Sequence, residues 1–256
     1  MAFALITGAS SGLGAEFARL FARDSYDLIL VARRKNRLEE ISRALKAMHP
    51  GITIVLIEQD LGKAGATHSL WEKVKSYEIE ALVNNAGFGN SGAFGSSSLE
   101  KEVELIELNI RALVELTWLC LPGMRERKRG CILQVGSLAG FQPGPFMANY
   151  YASKAFVNHF SEALSEELRG SGVTCTLLAP GATATEFSEK AGLESSRLFR
   201  WGSASAVKVA EAGYAGLKAG HTIVIPGWIN KILAQTNRLS PRILARKVAG
   251  FLNQNA

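Results

Sequence analysis

The segment Phe3-Ala-Leu-Ile-Thr7-Gly8-Ala-Ser-Ser-Gly12-Leu-Gly14 decides the fold of this 256-residue chain. Its first five residues form a short apolar run typical of a buried strand, and a helical pattern begins directly after the glycines. Glycines between a first strand and a first helix let the backbone turn tightly and approach a diphosphate, which the helix dipole favours. Glycines without this placement would indicate only a tight turn. The predicted contacts are Gly8, Ser10, Ser11, Gly12, Leu13 and Gly14.

Strand and helix patterns alternate along the rest of the chain. The strand patterns cover Phe3–Thr7, Asp27–Ala32, Ile52–Ile57, Ala81–Asn84, Cys131–Gly136, Val173–Leu178 and Thr222–Ile225. The helix patterns cover Gly12–Arg23, Lys35–Met48, Ala64–Ser76, Leu99–Arg127, Tyr150–Arg169 and Ser205–Ala219. Most strand patterns are apolar on both faces, as strands covered by helices on both sides must be. We therefore predict an α/β fold over residues 1–225, a single Rossmann-type, doubly wound parallel sheet with helices on both faces.

Composition and charge exclude several classes of protein. The chain is 47% hydrophobic and 20% charged, which is ordinary for a soluble globular protein. Its net charge is +6, and five basic and no acidic residues lie between Pro226 and Ala256. The first 225 residues are therefore nearly neutral, which argues against nucleic-acid binding.

Three scattered cysteines and four histidines without ligand-like spacing predict neither a disulfide nor a metal site. With no secretory signal or long apolar stretch, we expect a cytoplasmic protein.

The end of the second strand pattern bears on the choice of cofactor. NAD-binding proteins place an acidic residue there, which binds the ribose 2′-hydroxyl. This chain instead has Arg33-Arg34-Lys35, and a guanidinium can clamp a 2′-phosphate with two hydrogen bonds. Arg34 and Lys35 could equally be solvated residues of the next helix, which we favour for Lys35. We favour the phosphate contact for Arg33, include Arg34 as a second candidate cofactor contact, and predict NADP(H).

The motifs that follow one another along the chain resemble those of the short-chain dehydrogenase/reductase family, from Phe3 to about Pro226. They are Thr7-Gly8-x-x-x-Gly12-x-Gly14, Asp60-Leu61, Asn84-Asn85-Ala86-Gly87, Asn109, Ser137, Tyr150-x-x-x-Lys154 and Pro180-Gly181-x-Thr183-x-Thr185. The resemblance implies that Asp60 and Leu61 contact adenine. It implies that the cofactor is also lined by Asn85, Ala86, Gly87, Tyr150, Lys154, Pro180, Gly181, Thr183 and Thr185. It further implies a catalytic tetrad of Asn109, Ser137, Tyr150 and Lys154, the strand order 3-2-1-4-5-6-7, and a homodimer or homotetramer.

The spacing of Tyr150 and Lys154 supports a proton-transfer role from physical reasoning alone. Residues four apart lie on one face of a helix, whereas the rival Tyr151 has Ala155 at that distance. A phenol titrates near pH 10, and we expect the Lys154 ammonium and the positive nicotinamide ring of the oxidised cofactor to lower the pKa of Tyr150. Ser137, at the carboxyl end of the fifth strand pattern, could orient the substrate oxygen. Only the resemblance gives Asn109 a role, as a relay through Lys154.

The substrate side is less well marked. The irregular apolar segment Phe187–Ser203 could form a lid. A hydrophobic pocket could include Phe88, Phe94, Leu138, Phe141, Phe146 and Met147.

Two short helices are expected within 226–256, broken at Ser240-Pro241. They form a basic amphipathic extension that we expect to pack on the body or on a second subunit, with contact to an anionic membrane as the less favoured alternative.

The leading hypothesis is an NADP(H)-dependent enzyme that interconverts an alcohol and a carbonyl compound. The apolar pocket residues above favour a hydrophobic substrate. One alternative keeps the fold but epimerises its substrate through a transient ketone. A second alternative is a dinucleotide-sensing protein without turnover, which the presence of Ser137, Tyr150 and Lys154 disfavours.

Overall fold

The structure is a computed structural model that describes residues 2–186 and 203–254. Its strands, numbered along the chain, are β1 (Phe3–Thr7), β2 (Asp27–Ala32), β3 (Ile54–Glu58), β4 (Ile79–Asn84), β5 (Gly130–Val135), β6 (Val173–Leu178), β7 (Thr183–Ala184), β8 (Ala204–Ser205) and β9 (Ile223–Val224). Seven of them form one sheet in the order β3-β2-β1-β4-β5-β6-β9, and every pair in it is parallel. The predicted fold class and strand order are confirmed.

Nine α-helices are found in the described residues. They are α1 (Gly12–Arg23), α2 (Lys35–Met48), α3 (Ala66–Val74), α4 (Leu99–Ile106), α5 (Ala112–Glu126), α6 (Ala148–Glu167), α7 (Ala206–Lys218), α8 (Trp228–Leu239) and α9 (Arg242–Asn253). The strand and helix bounds differ from the predicted ones by two residues or fewer, apart from the predicted helix Leu99–Arg127, which is interrupted. The short pair of β7 and β8 was not predicted, because a strand of two residues has too little pattern to detect.

The sheet is covered on both faces, as its doubly apolar strands require. Along β2, Leu28 and Leu30 pack into a core that also includes Phe17 of α1 and Tyr214 of α7. The intervening Ile29 and Val31 point to the opposite core, which includes residues of α3, α5 and α6. This alternation follows from the two-residue period of a strand. One helix layer is therefore α1, α2 and α7, and the other is α3, α5 and α6.

The predicted long helix Leu99–Arg127 is wrong in one respect. A π-helical turn, Glu107–Arg111, separates α4 from α5. Such a turn inserts an extra residue into a helix and is frequent at functional sites. The buried Asn109 lies in its centre. Nothing in the apolar periodicity marks this irregularity.

The two carboxyl-terminal helices are broken at Ser240-Pro241, as predicted. Their inner positions, among them Ala234, Ala245 and Ala249, are buried. Asn253 of α9 bonds the Tyr151 hydroxyl and the Pro145 carbonyl, so this helix is anchored beside the start of α6. Large apolar side chains occupy the outer positions, and none of the described helices is both long and apolar enough to cross a membrane.

Candidate active site

The glycine turn joins β1 to α1 in a conformation that needs its glycines. Gly8 and Gly12 have φ angles of 65° and 55°, in the left-handed region that favours glycine. A Cβ on Gly14 would collide with the Gly8 carbonyl. The helix α1 begins with no side-chain cap and no acidic residue in its first turn. Its positive end is therefore suited to an anion.

Thr7 fixes the segment after β4 against this turn. Its hydroxyl accepts hydrogen bonds from the backbone N–H groups of Asn85 and Ala86, each at 3.0 Å, and donates to the Val83 carbonyl at 3.2 Å. The Asn85 side chain donates to the Thr7 carbonyl at 2.9 Å. The predicted cofactor residues Asn85, Ala86 and Gly87 thus lie beside the glycine turn. Thr7 was quoted in the motif but was not predicted to have this anchoring role.

The two arginines after β2 lie in different surroundings. Arg34 donates from Nη2 to the hydroxyls of Ser10 and Ser11, at 3.1 and 2.9 Å. Arg33 instead bonds Glu104 at 3.3 Å, lies 4.0 Å from Asp60, and lines a cleft of about 810 Å³ along α4. The sequence argument favoured Arg33, but the geometry brings Arg34 to the glycine turn. Two adjacent arginines could not be separated by spacing alone.

The adenine-side residues predicted from the resemblance lie at the end of β3. Asp60 accepts a hydrogen bond from the Gly62 N–H at 3.1 Å, which tightens this turn. Leu61 is buried in the core beneath it. Both are therefore held at the carboxyl edge of the sheet, where open α/β folds bind ligands.

Tyr150 and Lys154 occupy one face of α6, and both are buried. The Tyr150 hydroxyl makes a hydrogen bond with Ser137, which follows β5. Lys154 Nζ donates to the Val135 carbonyl at 2.7 Å and lies 5.9 Å from the centre of the Tyr150 ring. The structure thus brings Ser137, which no local periodicity relates to α6, to the helical pair Tyr150 and Lys154.

Burial governs the titration of this pair. Burial raises the pKa of Tyr150 above its ordinary value, although the hydrogen bond from Ser137 opposes the rise. Burial also lowers the pKa of Lys154 to about 8. Burial therefore dominates the pKa of Tyr150 in this structure, and a lowering by Lys154 together with an oxidised nicotinamide ring stays a prediction for the protein with cofactor bound.

Asn109 is linked to the same helix by a different route from the one expected. Its amide donates to Ser153 Oγ at 3.1 Å, and Ser153 donates to the Tyr150 carbonyl at 2.7 Å. Asn109 also exchanges two hydrogen bonds with the Phe88 backbone. A Cβ on Gly87 would lie 2.9 Å from Asn109 Oδ1 and 3.8 Å from Lys154 Nζ. Asn109 and Lys154 therefore both face the narrow space beside Gly87.

Asn158 is a functional candidate that sequence reasoning missed. Its side chain is fully buried, accepts from the Ser137 N–H at 3.4 Å and donates to the Ser137 carbonyl at 3.0 Å. Cβ atoms on Gly136 or Gly140 would collide with this amide. The backbone that carries Ser137 is therefore held by Asn158 from α6, eight residues beyond Tyr150. The adjacent glycines were the available signal.

The segment after β6 crosses back over the glycine turn. The Pro180 carbonyl accepts from the Leu138 N–H at 2.9 Å, and Thr183 Oγ1 donates to the Gly181 carbonyl at 3.0 Å. Thr185 packs against Gly12, where a Cβ would lie 3.2 Å from its side chain. The predicted nicotinamide-side residues thus run from the turn after β5 to the glycine turn.

Two loops form the substrate side. The Gly92 N–H donates to the Phe146 carbonyl at 2.8 Å and joins them. Phe88 and Met147 pack with Tyr150, whereas Phe94 is 78% exposed. Leu138 and Phe141 lie in a short 3₁₀ turn beside α6. The predicted lid falls on residues 187–202, outside the described residues.

The residues present fit a nicotinamide dinucleotide. The glycine turn leaves room that a side chain would fill, the start of α1 is uncapped, and a guanidinium lies against the turn. These are the features that hold a diphosphate and a ribose phosphate. The buried tyrosine and lysine lie at the same edge of the sheet.

The comparison with protein families decides the assignment. The family model described as short chain dehydrogenase matches residues 2–195. The chain belongs to the short-chain dehydrogenase family. This is a family of oxidoreductases that use a nicotinamide dinucleotide, so the resemblance found in the motifs is confirmed.

Relatives of this short-chain dehydrogenase include a very-long-chain 3-oxoacyl-CoA reductase from Mycosarcoma maydis, which is 35% identical over 180 residues. That alignment covers 69% of this chain and 51% of the relative. The chain thus spans about half the length of the curated relatives it matches.

Two solved structures are also similar. A short-chain dehydrogenase from Sphingobium yanoikuyae in complex with NADPH has a TM-score of 0.85 and 32% identity, with 93% of this chain and 92% of that chain covered. A bulky-bulky ketone specific alcohol dehydrogenase from Comamonas testosteroni has a TM-score of 0.81 and 29% identity, with the same coverage.

Proposed function

We propose that the protein is an NADP(H)-dependent oxidoreductase that interconverts a hydrophobic ketone or aldehyde and the corresponding alcohol. The observation that carries the proposal is the buried Tyr150 hydroxyl, bonded to Ser137, with Lys154 one helical turn further along. This group lies at the same edge of the sheet as the glycine turn. Family membership supports the oxidoreductase class.

The side chains can perform the proton transfer. The bound cofactor would supply the hydride. The hydroxyls of Ser137 and Tyr150 would both donate to the carbonyl oxygen, and Tyr150 would give up its proton as negative charge develops there. A phenol is protonated at neutral pH, as proton donation to the carbonyl oxygen requires, and burial raises the pKa of Tyr150 further. The Lys154 ammonium would stabilise the phenolate that remains.

We assign the 2′-phosphate of the cofactor to Arg34, with Ser10 and Ser11 beside it. Arg34 already bonds both hydroxyls, so its guanidinium is oriented at the glycine turn. The absence of an acid at the end of β2 removes a source of repulsion. The NADPH bound to the Sphingobium relative supports the phosphorylated cofactor.

We propose that the carbonyl of the substrate is flanked by bulky apolar groups. Phe88 and Met147 pack against Tyr150, and Leu138 follows Ser137. The names of two relatives, a very-long-chain 3-oxoacyl-CoA reductase and a bulky-bulky ketone specific alcohol dehydrogenase, support this class.

We also propose a homo-oligomer. On α4, Leu99, Val103 and Ile106 are exposed at helical spacing, and Trp118 of α5 is 70% exposed. Exposed apolar side chains in such number often mark a subunit interface. Sedimentation velocity over a range of protein concentrations tests this, and a monomer throughout would contradict it.

The proposed activity is tested by following the absorbance of NADPH against a panel of carbonyl compounds. The panel contains a bulky diaryl ketone, a long-chain 3-oxoacyl thioester, a small aldehyde and a keto sugar. We expect turnover of the first two and no turnover by the Tyr150→Phe variant. Turnover of the sugar alone would contradict the substrate class, and cofactor binding without any turnover would favour a sensing protein.

A further inference from the structure

A carboxylate from the opposite side of the cofactor cleft reaches Arg34. Glu186 follows Thr185 and accepts from Arg34 Nη1 at 2.8 Å, while Arg37 Nη2 lies 3.8 Å from its other oxygen. The side chains of Arg34 and Glu186 are 36% and 29% exposed, so the pair is partly accessible to solvent and to a ligand. Arg34 therefore bridges Ser10 and Ser11 on one side and Glu186 on the other.

This arrangement places two anions in competition for one cation. A 2′-phosphate bound at the glycine turn would need the Arg34 N–H groups that Glu186 now occupies, because a guanidinium binds a phosphate through a fork of such groups. The phosphate would also be repelled by the Glu186 carboxylate. A ribose 2′-hydroxyl carries no such charge, and a carboxylate can accept its hydrogen bond.

We propose that Glu186 is a specificity-determining residue that limits the preference for NADP(H) by competing with the 2′-phosphate for Arg34. The acid that β2 lacks at its end is thus supplied from the segment after β6. The inference rests on the proposed use of NADP(H) and goes beyond it, because it assigns part of the selectivity to a residue outside the β2–α2 turn.

The test is a fluorescence titration of NADPH and of NADH into the full chain, without substrate. Glu186→Gln keeps the shape of the side chain and removes its charge. We expect the dissociation constant of NADPH to fall by about three- to fivefold, the upper part of the range for ion pairs at partly exposed positions. The dissociation constant of NADH should stay constant or rise.

Two further variants complete the test. Glu39→Gln removes an exposed carboxylate of α2 and controls for the general change in charge; we expect the NADPH-to-NADH ratio to stay within twofold of the wild type. In an Arg34→Met background, Glu186→Gln should no longer tighten NADPH, because its effect requires the guanidinium.

The outcomes separate the inference from the function on which it rests. An equal tightening of both dinucleotides, an unchanged or weaker binding of NADPH, or the same gain in Glu39→Gln would overturn the role of Glu186 while leaving the cofactor assignment intact. Failure of the wild-type protein to bind either dinucleotide would overturn both.

Discussion

The cofactor side and the substrate side of the cleft are built in different ways. On the cofactor side, buried polar side chains such as Thr7 and Asn109 hold backbone segments through several hydrogen bonds each. On the substrate side, two loops meet through the Gly92–Phe146 hydrogen bond, and Phe94 lies exposed. The difference shows why the cofactor can be assigned from motifs: fixed polar geometry needs particular residues at particular positions, whereas an apolar wall can be built from many.

The largest effect is expected when a single hydroxyl group, that of Tyr150, is removed from the site. Tyr150→Phe should lower kcat/KM for reduction by about 1000-fold, the scale of general acid catalysis, and leave the dissociation constant of NADPH within about twofold. Tyr151→Phe is the matched control, because its hydroxyl bonds Asn253 rather than Ser137. Steady-state kinetics on both variants measure the effect. Equal losses in the two variants would mean that the loss is structural.

The charge of Lys154 should have the next largest effect on kcat/KM for reduction. With a pKa lowered to about 8, the ammonium predominates below that pH and is lost above it. We therefore expect kcat/KM for reduction to be level from about pH 6 to 7.5 and to decline as the pH rises through 8. Lys154→Met should lower activity about 100-fold and abolish this inflection. A pH–rate profile measures both, and a wild-type profile that is level to pH 10 would contradict the assignment.

The two arginines after β2 give a smaller and more selective effect. Arg34→Met should weaken NADPH binding by about tenfold and leave NADH within twofold, because its guanidinium lies at the glycine turn. Arg33→Met should weaken NADPH by less than threefold, since Arg33 pairs with Glu104. Calorimetric titration of both variants compares them. The reverse order would restore the assignment to Arg33 that the sequence favoured.

Asn158 offers a test of how buried polar side chains hold the backbone of the site. Asn158→Ala should lower the free energy of unfolding by about 1–3 kcal/mol, because the partly buried backbone N–H and C=O groups of Ser137 lose their side-chain partner. It should also lower kcat more than it raises KM. Ser161→Ala, a buried hydroxyl of α6 that bonds only its own helix in the contacts seen, should leave kcat within twofold. Equal kcat in the two variants would reject the positioning role.

The smallest catalytic effect is expected at the carboxyl-terminal helices. Trp228 and Phe251 are 72% and 55% exposed, so changing each to Ser should alter turnover of a water-soluble ketone by less than twofold. Liposome sedimentation at low and moderate salt then tests the surface itself. Salt-sensitive binding of the wild type that both changes abolish would support membrane contact. No binding would favour packing of this surface against a second subunit.

The sequence predicted the sheet in more detail than the contacts within the site. The seven strands could be predicted because most of them are apolar on both faces, whereas their order followed only from the resemblance of the motifs to the family. Tyr150 and Lys154 could be paired because a helix relates residues four apart. The bond from Arg34 to Ser10, and that from Asn158 to Ser137, join segments far apart in the chain, and no local period relates them. The pKa of Tyr150 could not be predicted either, because it depends on burial.

A structure of the protein with NADP(H) bound tests the central claim most directly. The account predicts the diphosphate at the start of α1, the 2′-phosphate against Arg34 with Glu186 displaced, and the nicotinamide ring beside Tyr150 and Lys154. A dinucleotide bound elsewhere, or a ring from which both side chains point away, would contradict the account.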